Sequence, residues 1–191
     1  MFKDLVIKNR SYRRFYEDVR IEKETLVELI DISRNVPSTI NSQSLKFILV
    51  TDDFVKNEVF ETLHWAGRLK EWKGPQKGER PAAYIIIVCE TDLACNKLYD
   101  EGITAQTILL AATEKGYGGC MLGSFNKKRI EEIFDLDCEK YSADLVIALG
   151  KPKEEVRIVP VPENGDIAYY RDDNMIHYVP KRSVDELILD L

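Results

Sequence analysis

Histidine is nearly absent. The chain of 191 residues holds two, His64 and His177, and neither stands near a Gly-x-Ser-x-Gly turn or a comparable nucleophile, so the sequence carries no signature of the usual hydrolase machinery. The four cysteines, Cys89, Cys95, Cys120 and Cys138, form no Cys-x-x-Cys pair. Three of them sit in apolar or helical surroundings, so they read as reduced core thiols rather than as a zinc site or a disulfide framework, and no metal is expected. No apolar run approaches the roughly 18 residues that a membrane span requires. The start, "MFKDLVIKN", sets Asp4 within a short apolar pattern and has no small-residue cleavage site. These absences lead us to expect a soluble, cytoplasmic protein with no membrane partner. Internal repeats and low-complexity tracts are also missing, and a chain of this length with 45% hydrophobic residues is expected to form one domain over residues 1–191.

Positive charge is scarce overall, at 27 Lys and Arg against 33 Asp and Glu for a net charge of -6. That balance argues against a nucleic-acid partner, which needs a basic field over a whole face. What basic charge there is comes in islands. "KNRSYRRFY" places Lys8, Arg10, Arg13 and Arg14 in a stretch with no acid from Leu5 to Tyr16. Arginine presents a planar fork of donors that matches a phosphate or carboxylate, and Ser11 adds a hydroxyl. A second island, "HYVPKRS", brings Lys181 and Arg182, which share one phosphate with Arg10 if the chain ends converge.

Periodicity predicts helices at 2–9 and 23–35, the latter with Leu26, Leu29 and Ile30 on one face and Thr25 with Glu28 as a capping box. "LKFILVT" and "AYIIIVC" read as buried strands, with one or two helices at 53–72 between them. Asp100 is placed to cap a helix, "EGITAQTILLAATEK", that is apolar nearly all round and so belongs at the centre of the domain. Gly116 suits its end. "GGCMLGSF" and "ADLVIALG" read as strands around a helix at 126–134. From Lys151 to Asp166 the pattern is a long proline-containing segment, followed by "IAYYRDDNMIHYVPKRS" and a short amphipathic end. Helices and strands without regular alternation point to an α+β fold. The tail, 151–191, has little core of its own and is expected to lie on another surface.

Two further stretches carry polar chemistry. "PSTINSQS" offers hydroxyls, Asn41 and Gln43 for the edge of a polar heterocycle. "GYGGCMLG" is not a dinucleotide fingerprint, because its glycines follow a helix and enter a strand; they are expected to let backbone approach a flat ligand. With many donors and no acid–base pair, the chemistry falls to a cofactor.

Taken together, "RSYRRF", "PSTINSQ", "GITAQTILLAATEKGYGGCMLGSF", "VIALGKP" and "YYRDDNMIHYVPKRSVDELI", in this order and almost end to end, resemble the flavin-dependent nitroreductase family, whose members bind FMN. The resemblance implies a three-layer α-β-α sandwich around a central, mostly antiparallel sheet, built as an intertwined homodimer in which 151–191 wraps the partner. It implies that Arg10, Ser11 and Arg13 contact the phosphate, ribityl chain or ring edge, with Lys181 or Arg182 completing the phosphate site. Pro37, Ser38, Thr39 and Asn41 would come from the other subunit, and Leu122 and Gly123 would lie at the ring, with the Gly123 N–H at flavin N5. Two departures stand out: Asn9 and Arg10 replace a pair of arginines before the serine, and Gln43, Ser44 and Leu45 replace a Gln-Pro-Trp. The implied activity is ping-pong hydride transfer from NADH or NADPH through FMN to nitroaromatics, quinones or similar acceptors. Reductive dehalogenation, flavin fragmentation and flavin binding without turnover are the alternatives. The loop around Trp65 and Trp72 is expected at the mouth of the pocket.

Overall fold

A run of seven buried residues, Ala83 to Cys89, marks the centre of the sheet. The structure is a computed structural model that describes residues 1–93 and 97–189. Cys95 and the last two residues of the amphipathic end lie outside the described residues. Strand β3 (Ala83–Glu90) is bonded antiparallel to β2 (Leu45–Val50) on one side and to β5 (Tyr141–Pro152) on the other. β4 (Gly118–Leu122) also pairs antiparallel with β5, and the short β1 (Phe15–Tyr16) joins β5 at Lys151 and Pro152.

Strand side chains alternate between faces, so one sheet feeds two cores. Ile85, Ile87, Ile147 and Leu149 pack with Leu26 and Leu29 of α2 (Lys23–Ser33) and with Ala105, Ile108 and Ala112 of α4 (Lys97–Glu114). Tyr84, Ile86, Val88, Val146 and Ala148 pack on the opposite face with Val59 of α3 (Asp53–Glu61) and Ile130 of α5 (Lys127–Ile133). The result is the expected α+β, three-layer sandwich around an antiparallel sheet. A seven-residue helix, α1 (Phe2–Lys8), precedes it.

Four local expectations need correction. Helix α2 begins at Lys23 after Glu22 and has no side-chain cap bond, so Thr25 lies inside the first turn. Ile21 and Leu26, buried in one cluster, stand at the positions of a hydrophobic staple that sets this start. Asp100 likewise lies inside α4 rather than at its cap, and its carboxylate, on a residue only 2% exposed, accepts the Thr39 N–H at 2.9 Å and the Thr39 hydroxyl at 3.0 Å. β2 is only half-buried apart from Val50, because β3 covers one edge of it alone. α4 is apolar nearly all round, yet Leu98 and Tyr99 are 74% and 71% exposed and Ile103 is exposed as well.

Beyond β5 the chain forms a small second sheet. β8 (His177–Lys181) pairs in parallel with β6 (Val156–Pro160) and antiparallel with β7 (Tyr170–Arg171). The sequence reading missed β6, whose alternating Val156 and Ile158 are hidden by flanking prolines.

Candidate functional site

The loop after α1 and the second sheet meet over α4 and β4, and enclose a cavity of about 350 Å³. Arg10, Ser11 and Arg13 line it from the N-terminal side, and Tyr169, His177 and Lys181 from the C-terminal side. Gln106 and Leu109 of α4 and Met121 of β4 form the remaining wall. Three cationic side chains therefore face this space, and among the described residues no carboxylate lines it. The Arg10 Nη2 donates to the Val6 carbonyl at 2.7 Å and the Arg13 Nη1 to the Ser11 carbonyl at 3.2 Å. Among the described residues the Nε atoms of both arginines are enclosed without a partner. Buried donors of this kind normally have an acceptor.

The neighbouring arginine behaves differently. Arg14 makes a bidentate pair with Glu79 at 2.8 and 2.7 Å, and Lys153 adds a third contact at 3.0 Å. The hydrogen bond from Arg14, helped by Lys153, holds the Glu79 carboxyl at about 2. Arg14 is thus a structural cation, turned away from the cavity by a strong partner.

Glu154 sets the position of the whole loop. Its side chain is 0% exposed, its Oε1 accepts the backbone N–H groups of Arg13 and Arg14, and its Oε2 accepts Arg171 Nη2 at 2.9 Å. Arg171 in turn lies 4.2 Å over the Trp72 ring. Arg13 sits 5.2 Å from the centre of the Tyr169 ring, and Tyr169 is tilted against His177 with ring centres 5.2 Å apart. His177 is 1% exposed, and its pKa is pushed down to about 4 by burial first and then by Arg13 and Arg171.

The residues singled out in the sequence separate into three groups. Arg10, Ser11, Arg13 and Lys181 come together, whereas Arg182 is turned outward and sits 3.5 Å from Glu186. Pro37 and Ser38 line a different cleft, of about 290 Å³, beside Asp100 and Thr104. Next to them Thr39 is tied to Asp100, and Asn41 is exposed on a turn where Ile40, Asn41 and Gln43 all have positive φ. Within one protomer these four do not line the cationic cavity. Leu122 packs into the core on the α3 and α5 face while its neighbour Met121 lines the cavity. Gly123 is exposed, with open space where a Cβ would stand.

Two other glycines of "GYGGCMLG" stand where the protein packs on itself. A Cβ on Gly118 would meet Tyr12 at 2.5 Å, and one on Gly119 would meet the Ala148 carbonyl at 2.3 Å. They permit close packing of the protein on itself. In the aromatic loop, Trp65 is buried in the α3 and α5 core and Trp72 is held under Arg171; neither lines the cavity, but between them the Arg68 N–H donates to the hydroxyl of Tyr169 in the cavity wall at 3.3 Å. Gln106, Met121, Tyr169 and His177 went unassigned in the sequence. A lone glutamine in an apolar helix was the one signal available for Gln106. Among the described residues no cluster of His, Cys, Asp and Glu could hold a metal ion, and no helix is long and apolar enough to cross a membrane.

A family model described as the nitroreductase family matches residues 6–151. A Bacillus subtilis protein, YdgI, provisionally named an NAD(P)H nitroreductase, is 24% identical over 187 residues, covering 81% of this chain and 90% of its own. The iodotyrosine deiodinase of Thermotoga neapolitana is 23% identical over 195 residues, covering 93% and 97%. A solved structure from Exiguobacterium sibiricum, in complex with FMN, superimposes with a TM-score of 0.66 over 86% of this chain and 94% of its own, at 17% identity.

Proposed function

The chain belongs to the nitroreductase family, and from that premise we propose that it is an FMN-dependent oxidoreductase that uses NADH or NADPH to reduce small flat acceptors such as nitroaromatics and quinones. The observation that carries this reading is the cavity itself, with Arg10, Arg13 and Lys181 in its lining and no carboxylate there among the described residues. A terminal phosphate supplies the negative charge that this cationic wall lacks. The residues present therefore fit the phosphate end of FMN, and Gly123, with open space beside it, fits a backbone contact to the ring edge.

FMN, when bound, supplies the acceptance and delivery of hydride. The chain's own part is to bind and to orient. Arg10, Ser11, Arg13 and Lys181 hold the phosphate, Gln106 and Met121 flank the space next to it, and Glu154 fixes the loop that bears Arg13. Pro37, Ser38, Thr39 and Asn41 reach a flavin only as the partner's contribution, so the functional unit is a homodimer. Donor and acceptor share one pocket in turn, which gives ping-pong kinetics.

Reductive dehalogenation is the second reading, favoured by the deiodinase relative. The segment that would act as a lid, 65–81, is pinned in this protomer by Trp65 in the core and by Arg171 over Trp72. That favours an open pocket and broad acceptors.

The test is the absorption spectrum of the purified protein under anaerobic conditions, before and after NADH and NADPH, with the heat-released flavin weighed by mass spectrometry. FMN that bleaches with a reduced nicotinamide and recovers on addition of a nitroaromatic or quinone is expected. FAD, or a protein that binds no flavin when FMN is added, contradicts the proposal, and recovery with an iodinated phenol alone favours the second reading.

A further inference from the structure

His177 has no place in the function described so far, yet it lines the same cavity as Arg10, Arg13 and Lys181. It is one of the largest fully buried side chains in the protein, and among the described residues its Nδ1 is enclosed without a partner. Its backbone N–H is bonded to the Glu155 carbonyl at 2.9 Å, and its ring rests against Tyr169, so it is held in place from two sides. A fixed, buried imidazole in the wall of an anion cavity calls for an explanation.

We propose that His177 is the proton-carrying contact of the phosphate cavity, its ring becoming imidazolium as a phosphomonoester enters, so that the phosphate of the ligand and one proton bind together. The inference rests on the cofactor reading above and deepens it. The charged groups around the ring set the linkage. From the N-terminal loop come Arg10 and Arg13, from β7 Arg171, and from its own strand Lys181. The acids nearby are already engaged: Glu154 by Arg171 and by the backbone of the loop, Glu155 by Arg157 at 2.6 Å, and Asp172 by the Ile176 N–H at 2.9 Å and the Tyr178 hydroxyl at 3.1 Å. The walls from α4 and β4 present Gln106, Leu109 and Met121, which do not titrate. With only cations unopposed, the ring is neutral before the ligand arrives, in keeping with its depressed pKa of about 4. A dianion placed among the same side chains reverses the local field and favours the charged ring.

The sign follows from this change. Because the pKa in the bound state lies above that in the free state, binding takes up a proton at any pH between the two, and affinity falls as the pH rises through the bound value. Calorimetry of FMN binding to the full chain freed of copurified flavin, in two buffers of different ionisation enthalpy near neutral pH, counts the protons directly. The phosphate of free FMN, with a second pKa of about 6, releases only a small fraction of a proton there. Wild type is expected to show net uptake, and His177→Gln to lose it while still binding FMN, because an amide donates a hydrogen bond but takes up no proton. Riboflavin, which lacks the phosphate, is expected to bind without uptake.

A wild-type count of zero, or net release, overturns the proposal whether or not the variant folds. Equal uptake by His177→Gln, or equal uptake with riboflavin, overturns it too. FMN that binds without uptake sinks this inference alone, whereas FMN that does not bind removes the cofactor reading along with it.

Discussion

Arg10, Arg13 and Arg14 are the same side chain in three electrostatic settings, and the setting decides the role. Arg13 keeps its place through its backbone N–H to Glu154, a bond that survives truncation of the side chain. Arg13→Ala therefore removes the guanidinium without releasing the loop. A charge-assisted hydrogen bond is worth roughly 1.5–3 kcal/mol, so FMN is expected to bind about one to two powers of ten more weakly to this variant, with riboflavin little affected; fluorescence titration with both flavins measures the difference. Arg14 acts on stability instead. The Glu79 carboxyl, drawn by the Arg14 hydrogen bond and then by Lys153 from its ordinary 4.5 to about 2, is depressed in the folded state. Its stabilisation is complete above the unfolded value and is lost as pH falls from 4.5 towards 2. Glu79→Gln is expected to lower stability at neutral pH and to flatten the acid limb in that window. Urea midpoints measured across it check this, and an unchanged slope would show that the pair carries no linkage.

At the scale of elements, local patterns and long-range contacts part company. Strand β3 was legible because seven consecutive buried residues can only sit at the centre of a sheet, and α4 was legible because Ala105, Ile108, Leu109 and Ala112 repeat with helical period. The cationic island was legible as an anion site, since its charge excess is local in sequence. Which of its arginines face the cavity came from the family resemblance and not from the charge pattern, because Glu79 and Glu154 are supplied from 65 and 141 residues away. Asp100 was assigned to its own helix for the same reason: its partner, Thr39, is 61 residues distant. That bond has a consequence for the turn at 39–41, which carries positive φ at Ile40 and Asn41 and is held to α4 at Thr39. Asp100→Ala removes the acceptor for the Thr39 N–H and hydroxyl. Faster hydrogen exchange at the amides of Thr39 to Gln43, with exchange in β3 unchanged, is the expected result; an unaltered turn would mean that its conformation is set locally.

For the whole molecule, exposed apolar side chains occur on α1 (Phe2 and Ile7), at Ile40 and Phe54, on α4 (Leu98 and Tyr99) and in the C-terminal stretch (Val184, Leu187 and Ile188). Large exposed apolar side chains are what a subunit interface covers, and the proposed homodimer is the assembly that would cover them and let the 37–41 segment serve the partner's flavin. The protein is expected to remain dimeric on dilution, and a truncation after Pro160 to lose both dimer and flavin. A monodisperse, monomeric and fully flavinated truncation would remove the case for a shared site. The claim on which everything else depends is that the cavity holds a phosphate. The most direct measurement is the ratio of FMN to riboflavin affinity for the intact wild-type protein at one salt concentration, since the two ligands differ only in that group. With several charge-assisted bonds at stake, FMN is expected to bind at least about a hundredfold more tightly, and equal affinities would contradict the assignment.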